Sequence, residues 1–228
     1  MAITRFVTID DAVPLKTALV SVYDKHGLDS FVRGLLAAAP GLRILSTGGT
    51  HAALAAALGD SARSSLRQVS DYTGQPEMQG GLVKTLDYKL YLGLLSETHN
   101  PAHRADLARA GADPIDLVVV NLYPFAEAAA RPGSDAEDAR GNIDIGGPCM
   151  VRAAAKNFHR VAVLTDPSDY PAVLAELGAG GGRLGLATRF RLARKAFAVI
   201  AAYDAEIARW IEKAGFESVA AAYTVGRT

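Results

Sequence analysis

Cysteine is nearly absent: one residue, Cys149, in a chain of 228. A disulfide framework within the chain is excluded, and so is a zinc site built on paired cysteines. Cys149 itself reads as a small buried residue at a helix start. Charge of neither sign prevails, because 24 basic and 24 acidic residues give a formal net charge of zero. That excludes a long nucleic-acid groove, which would show as a basic stripe, and leaves room for a local pocket for one phosphorylated small molecule. No apolar run reaches the ~18 residues of a membrane span. The opening MAITRFVTIDDAVPLK is broken by charges too early for a signal peptide, so a soluble cytoplasmic protein with no membrane partner is expected. HExxH and GxSxG are missing, and with them the local signs of a zinc protease and a serine hydrolase. GxGxxG and the Gly-Lys-Ser/Thr ending of a P-loop are missing as well, which disfavours a dinucleotide. His26, His51, His99, His103 and His159 have no matching cysteine or acid spacing, and no metal is expected.

What is present points to a folded α/β domain. Half of the residues are apolar and 21% are charged, enough for a sizeable core under a solvated surface. Residues 1–228 read as one domain, with 1–16 as a loose lead-in. A buried strand is expected at 17–22, a helix at 28–39, strands at 42–46 and 66–69, and a helix at 51–58 between them. This β-α-β-α-β run predicts a mainly parallel sheet flanked by helices. Farther on, 101–111 reads as a helix, 116–122 as the clearest buried strand, and 126–140 as a charged surface helix or loop. A strand at 161–165 precedes a helix start at Asp166-Pro167-Ser168-Asp169. After a glycine-rich break at 178–182, residues 186–213 form a single long C-terminal helix. Phe190, Ala193, Phe197, Ile200, Ile207 and Ile211 make a stripe along it. The stripe exceeds what a small sheet needs, so a homodimer is expected.

Chemistry-bearing residues collect at the connections. The segment GNIDIGGPCMVRAAAKN, 141–157, reads as a strand end, a two-glycine turn and a helix start. Asp144 stands before the turn and Lys156 about three helical turns after it. Gly146 and Gly147 would let backbone N–H groups approach a ligand, and Pro148 suits the first helical position. Orphan N–H groups and a positive dipole end then face whatever Asp144 faces. Thr47-Gly48-Gly49-Thr50 reads as a phosphate cradle before a helix, or equally as a tight turn capped by Thr50. A parallel sheet gathers such connections at the carboxyl edge of its strands, where ligands bind. Lys25, the TGGT turn, Asn121, Tyr123 and IDIGG would meet there. Lys84 lies in the apolar, glycine-led GGLVKTLD. Taken singly, Lys84 reads as a solvated loop lysine, Lys156 as a helix C-terminal lysine, and Tyr123 as a core tyrosine with a satisfied hydroxyl.

The segments ALVSVYDKHGL, ILSTGGT, VSDYTGQPEM, GLVKTLD, PIDLVVVNLYPF, NIDIGGPCMVRAAAKN and AVLTDPSDY run in order from about residue 17 to 170. In that order the chain resembles the IMP cyclohydrolase domain at the amino-terminal part of bifunctional purine biosynthesis proteins. RLARKAFAVIAAYDAEIA extends the similarity to about residue 208. The resemblance implies a methylglyoxal-synthase-like α/β fold. It also implies closure of the purine ring of 5-formamidoimidazole-4-carboxamide ribonucleotide to IMP, with loss of water and no cofactor or metal. It implies a phosphate cradle at Thr47, Gly48, Gly49 and Thr50 with Lys25 nearby, and a catalytic set of Lys84, Tyr123, Asp144 and Lys156. Thr85, Asn121, Gly146 and Gly147 would complete the substrate site, with Asn121 and Gly146 at the base or its carboxamide. Either lysine could donate to the developing alkoxide, while Asp144 accepts a proton. The family's GRVKTLHP reads GLVKTLDY here, so Leu82, Asp87 and Tyr88 depart from it, and Tyr23 stands where a small serine is common. Those departures suggest drift or a changed substrate, as in a paralogue acting on a related nucleotide. A non-catalytic nucleotide-binding module of the same fold is the third alternative. The transformylase domain that follows in that family is not within these residues: the chain is either a stand-alone cyclohydrolase, with a separate transformylase as a partner, or a piece of a longer protein.

Overall fold

A computed structural model describes residues 7–76, 83–224 and 226; Leu82, one of the departures noted above, lies outside them. Seven short strands are described: β1 (Ala12–Pro14), β2 (Thr17–Val20), β3 (Arg43–Ser46), β4 (Leu66–Gln68), β5 (Leu117–Val119), β6 (Ala162–Leu164) and β7 (Arg183–Gly185). The helices before β5 are α1 (Leu28–Ala38), α2 (Gly48–Leu58), α3 (Ala62–Ser65), α4 (Val69–Thr73), α5 (Tyr88–Leu95) and α6 (Pro101–Ala110). Those after it are α7 (Phe125–Ala129), α8 (Ala136–Gly141), α9 (Gly146–Lys156), α10 (Tyr170–Ala179), α11 (Leu186–Lys213) and α12 (Phe216–Ala221).

The expected parallel sheet is present, ordered β4-β3-β2-β5-β6 with every pairing parallel. Its strands β5 and β6 are apolar and buried along their whole length because both faces are covered. Successive side chains alternate between two cores. Ala18, Val20, Ile44 and Val119 meet Leu35, Leu54 and Val173 on one face. Leu19, Leu45 and Val118 meet Leu90, Val151, Ala196 and Ile200 on the other. From β2 the chain moves outward to β3 and β4, then returns to place β5 on the opposite side. The strand order therefore reverses between β2 and β5. A crevice opens beyond the carboxyl ends of the strands at such a point.

Several expectations change here. The lead-in is not loose throughout: β1 pairs antiparallel with β7, Ala12 opposite Gly185, and Val13 and Leu15 are buried. The helix expected at 51–58 begins at Gly48, so the TGGT turn is itself the helix start, and Thr47 rather than Thr50 is the N-cap residue. IDIGG is not a strand end, since it follows α8 and leads into α9. Pro148 is accordingly the third residue of α9, still within the turn whose N–H groups have no helical partner. Cys149 is half-buried rather than buried.

The long helix falls where expected, but its stripe divides. Leu192, Ala193, Ala196, Ile200 and Tyr203 are buried, whereas Phe190, Phe197 and Ile211 are exposed. Arg189 is the other surprise: a wholly buried arginine whose guanidinium donates to the carbonyls of Asp10, Asp11, Phe158, His159 and Leu184. With its donors satisfied by backbone oxygens, the cation ties both sides of the β1–β7 ribbon to the end of α9. No described helix is long and apolar enough to cross a membrane.

Candidate active site

The crevice between β2 and β5 holds a cavity of about 390 Å³, within the ~300–1,000 Å³ range of small-molecule sites. Four chain segments form its walls: residues 21–25 after β2, the start of α2 after β3, the 120–123 exit of β5, and 141–147 entering α9. Lys84 and Thr85 approach from the segment before α5. Lys25, Thr47, Gly48, Gly49, Thr50, Lys84, Thr85, Asn121, Tyr123, Asp144, Gly146 and Gly147 all line it.

Lys156 does not. It is exposed, in the last turn of α9, about 15 Å along the helix from Gly146 at 1.5 Å per residue. Its placement gives no support to the reading of Lys156 as an oxyanion partner in this cavity. Among the described residues no cluster of His, Cys, Asp and Glu could hold a metal ion.

At the α2 start, Gly48 has a left-handed φ of 43° and presents its backbone to Lys84: a Cβ there would lie 3.2 Å from Nζ. Gly49 has no neighbour within 4 Å of such a position. Thr50 and His51 donate their N–H groups back to the Thr47 carbonyl. Gly48 and Gly49 thus line the cavity at a helix start, beside an ammonium group, and a helix start of this kind suits an anion. The Thr50 hydroxyl takes a different part. It accepts from Val22 N–H and donates to Val22 C=O, both at 3.0 Å, so it fastens α2 to the β2 exit. Thr47 Oγ1 lies 3.1 Å from Ser21 Oγ, and Ser21 is a cavity hydroxyl that no sequence motif marked.

Asn121 also serves the scaffold. Its Oδ1 accepts from the N–H groups of Tyr23 at 2.7 Å and Asp24 at 2.9 Å, and its Nδ2 donates to Asp24 C=O at 2.8 Å. Two bonds accepted by Oδ1 and one donated by Nδ2 clamp the 23–24 turn, while Asn121 also lines the cavity. The Lys25 ammonium donates to Tyr23 C=O at 3.2 Å. Tyr123 is not a core tyrosine: it is 52% exposed and its ring stands 5.0 Å from that of Tyr23.

Asp144 is the deepest carboxylate of the site. Burial pushes its pKa above the ordinary value of 3.8, while the N–H groups of Gly147 and Gly146 pull it part of the way back. Gly147 N–H donates to Oδ1 at 2.9 Å. Asp144's own N–H donates to the Tyr203 hydroxyl at 2.8 Å, and the Tyr203 ring meets Phe125 edge-on. Tyr203 is thus a positioning residue missed in the sequence. Its signal was three residues beyond Ile200 on the predicted helix. Gly146 allows α9 to reach the 83–85 turn, since a Cβ would fall 2.5 Å from Thr85 Oγ1. Asp87 and Tyr88 stand apart from this cavity. Asp87 caps α5 by accepting from Lys89 N–H at 2.8 Å, which accounts for an acid there as helix capping.

Comparison with known proteins agrees with this fold. The model for the MGS-like domain matches residues 27–149, and the model for the AICARFT/IMPCHase bienzyme matches 154–227. The chain belongs to the MGS-like domain family. It is 49% identical over 211 residues to the bifunctional purine biosynthesis protein PurH of Chlorobium luteolum, covering 92% of this chain and 39% of that protein. PurH of Neisseria meningitidis is 48% identical over 197 residues, covering 86% and 36%. The chain thus spans less than two-fifths of the length of these relatives. The crystal structure of ForH superposes with a TM-score of 0.73 at 35% identity, covering 86% of this chain and 99% of that one.

Proposed function

We propose that this protein is an IMP cyclohydrolase, closing the purine ring of 5-formamidoimidazole-4-carboxamide ribonucleotide to IMP with release of water. One observation carries the reading. A partly desolvated carboxylate, Asp144, lines the same cavity as Lys84, Tyr123 and an anion seat at Gly48-Gly49. In this reading the 5′-phosphate sits at Gly48-Gly49 with Lys25 near it, and the rest of the cavity takes the ribose and base.

A carboxamide nitrogen is a weak nucleophile and a formamide carbon a weak electrophile. Holding them in contact supplies several kcal/mol of the barrier. The nitrogen attacks the formyl carbon and a C–N bond forms. Asp144 takes the proton that the nitrogen loses. Burial raises its pKa above the ordinary carboxylate value, which makes it a better base than an exposed carboxylate. The formyl oxygen becomes an alkoxide and needs a donor, and of Lys84 and Lys156 it is Lys84 that lines the cavity and is assigned that role. The C–O bond then breaks: the former formamide nitrogen gives up its proton and forms the C=N bond, the hydroxyl takes a second proton and leaves as water, and Tyr123 relays protons between the two groups. The exposed Phe190, Phe197 and Ile211 on one face of α11 fit a homodimer, and a monomeric mass at micromolar concentration would sink that part.

Incubating the purified chain with the formylated ribonucleotide should give IMP, read as the rise of purine absorbance. Folded protein with no turnover above background would overturn the assignment. A second reading, a paralogue cyclising a related nucleotide, is favoured by Tyr23 on the cavity wall. Turnover of such an analogue without IMP formation would establish it.

A further inference from the structure

We infer that Tyr23 and Tyr123 form an aromatic wall against which the flat heterocycle of the nucleotide packs, and that Tyr23 is a specificity-determining residue of this chain. The inference rests on the nucleotide-cyclising reading and goes beyond it in assigning the base end of the cavity. Both residues line the cavity, and 44% of Tyr23 and 52% of Tyr123 are exposed. The rings lie 5.0 Å apart with a 53° tilt, inside the range of attractive aromatic pairs. So much aromatic surface held open at the edge of a polar cavity is a platform for a second flat π system.

The pair is also held in place before any ligand arrives. Asn121 accepts the N–H groups of Tyr23 and Asp24, and Tyr123 follows Asn121 by two residues at the same strand exit. One side chain therefore fixes the backbone beneath both rings, across the point where the strand order reverses. Preorganisation of this kind removes part of the ordering cost of binding. The same cavity is also lined by Gly48 and Gly49 at the start of α2. A nucleoside monophosphate asks for both kinds of surface: a seat for its anionic head and a platform for its flat base.

The test is calorimetric titration of the full chain, with IMP and with ribose 5-phosphate, which has the same phosphate and sugar but no base. Stacking of a base on a half-exposed ring predicts that Tyr23→Ala weakens IMP about fivefold to tenfold. Tyr23→Phe should bind like the parent, and ribose 5-phosphate should bind all variants equally. Tyr23→Leu keeps apolar bulk without a π face, and replaces the alanine variant if that one fails to fold. Equal weakening of both ligands would reduce Tyr23 to a loop residue and overturn the inference, as would no weakening of either. If the parent chain ignores IMP but binds AMP or GMP with the same dependence on Tyr23, the wall stands and the cyclohydrolase reading falls. If no nucleoside monophosphate binds better than ribose 5-phosphate, the wall itself falls.

Discussion

Two helices of this molecule begin with a glycine pair, and the two pairs do opposite things. Gly48-Gly49 opens α2 onto empty space: Gly49 has no neighbour where a side chain would be, and the nearest group to Gly48 is a lysine ammonium. Gly146-Gly147 opens α9 against the protein itself. A side chain on Gly146 would meet Thr85, and one on Gly147 would overlap Asp144 and crowd Leu122. Both pairs line the same cavity. One leaves room for a ligand's anion, whereas the other brings a carboxylate and a buried threonine close enough to be set by backbone. A glycine pair at a helix start says that something must come near, and the neighbours decide whether that is ligand or protein.

The contrast can be broken at four places, in falling order of effect. Asp144→Asn keeps an oxygen able to accept from Gly147 N–H, so the α9 start should stay filled while the proton acceptor is lost. Turnover should fall by about 10²–10⁴. In the parent, kcat/KM should decline on the acid side at a pH above the ordinary carboxylate value, because burial raises the Asp144 pKa. The stability effect has the opposite sense. An acid whose folded pKa is raised favours the fold when protonated, and that stability is lost as pH rises through the interval between the unfolded and folded values. Chemical denaturation at neutral pH should therefore find Asp144→Asn at least as stable as the parent, and a clearly less stable variant would show that the carboxylate is structural.

Gly147→Ala places a methyl where Asp144 and Leu122 already are. It should cost about 1–3 kcal/mol in stability and displace the carboxylate, so that KM and kcat both change. Retention of full activity would mean that α9 can shift freely. Gly49→Ala should behave in reverse. Its φ is ordinary and its surroundings are open, so the fold should gain about 0.4–1 kcal/mol, while KM for the nucleotide rises as the methyl enters the anion seat. Equal responses from Gly49→Ala and Gly147→Ala would erase the distinction between the two helix starts. Lys156→Ala should leave turnover within a factor of two. A hundredfold loss would return the lysine to the mechanism, and would require it to act from outside its own cavity.

Much of this was legible in the residues. The parallel strands announced themselves because a sheet covered on both faces needs unbroken apolar runs such as DLVVV. The site residues other than Lys156 could be brought together from topology and resemblance, since the connections of a parallel sheet share an edge. What could not be read was orientation. Asn121 and Thr50 carry the right functional groups for a ligand, yet their hydrogen bonds go to the backbone of residues 22–24, a long-range fact without a local pattern. IDIGG alternates apolar and polar residues like a strand, but Ile145 is 53% exposed and no partner strand runs beside it. The β1–β7 ribbon is three residues long on each side, too short for any periodicity to show. Lys156 was misplaced by treating nearness along a helix as nearness in space.

The Arg189 hub has a consequence for how the chain is made. Its guanidinium reaches the carbonyl of Asp10, 179 positions earlier, and the same neighbourhood pairs β1 with β7. Every strand of the main sheet has been synthesised once Leu164 emerges, yet the first ordered segment still has no place to dock. It must wait undocked for most of translation, with Val13 and Leu15 uncovered, until residues 183–189 arrive. Closing so distant a contact is slow. Chains interrupted between residues 165 and 182 should hold a complete sheet and a dangling amino-terminal strand, and proteases should cut them first near residues 10–15.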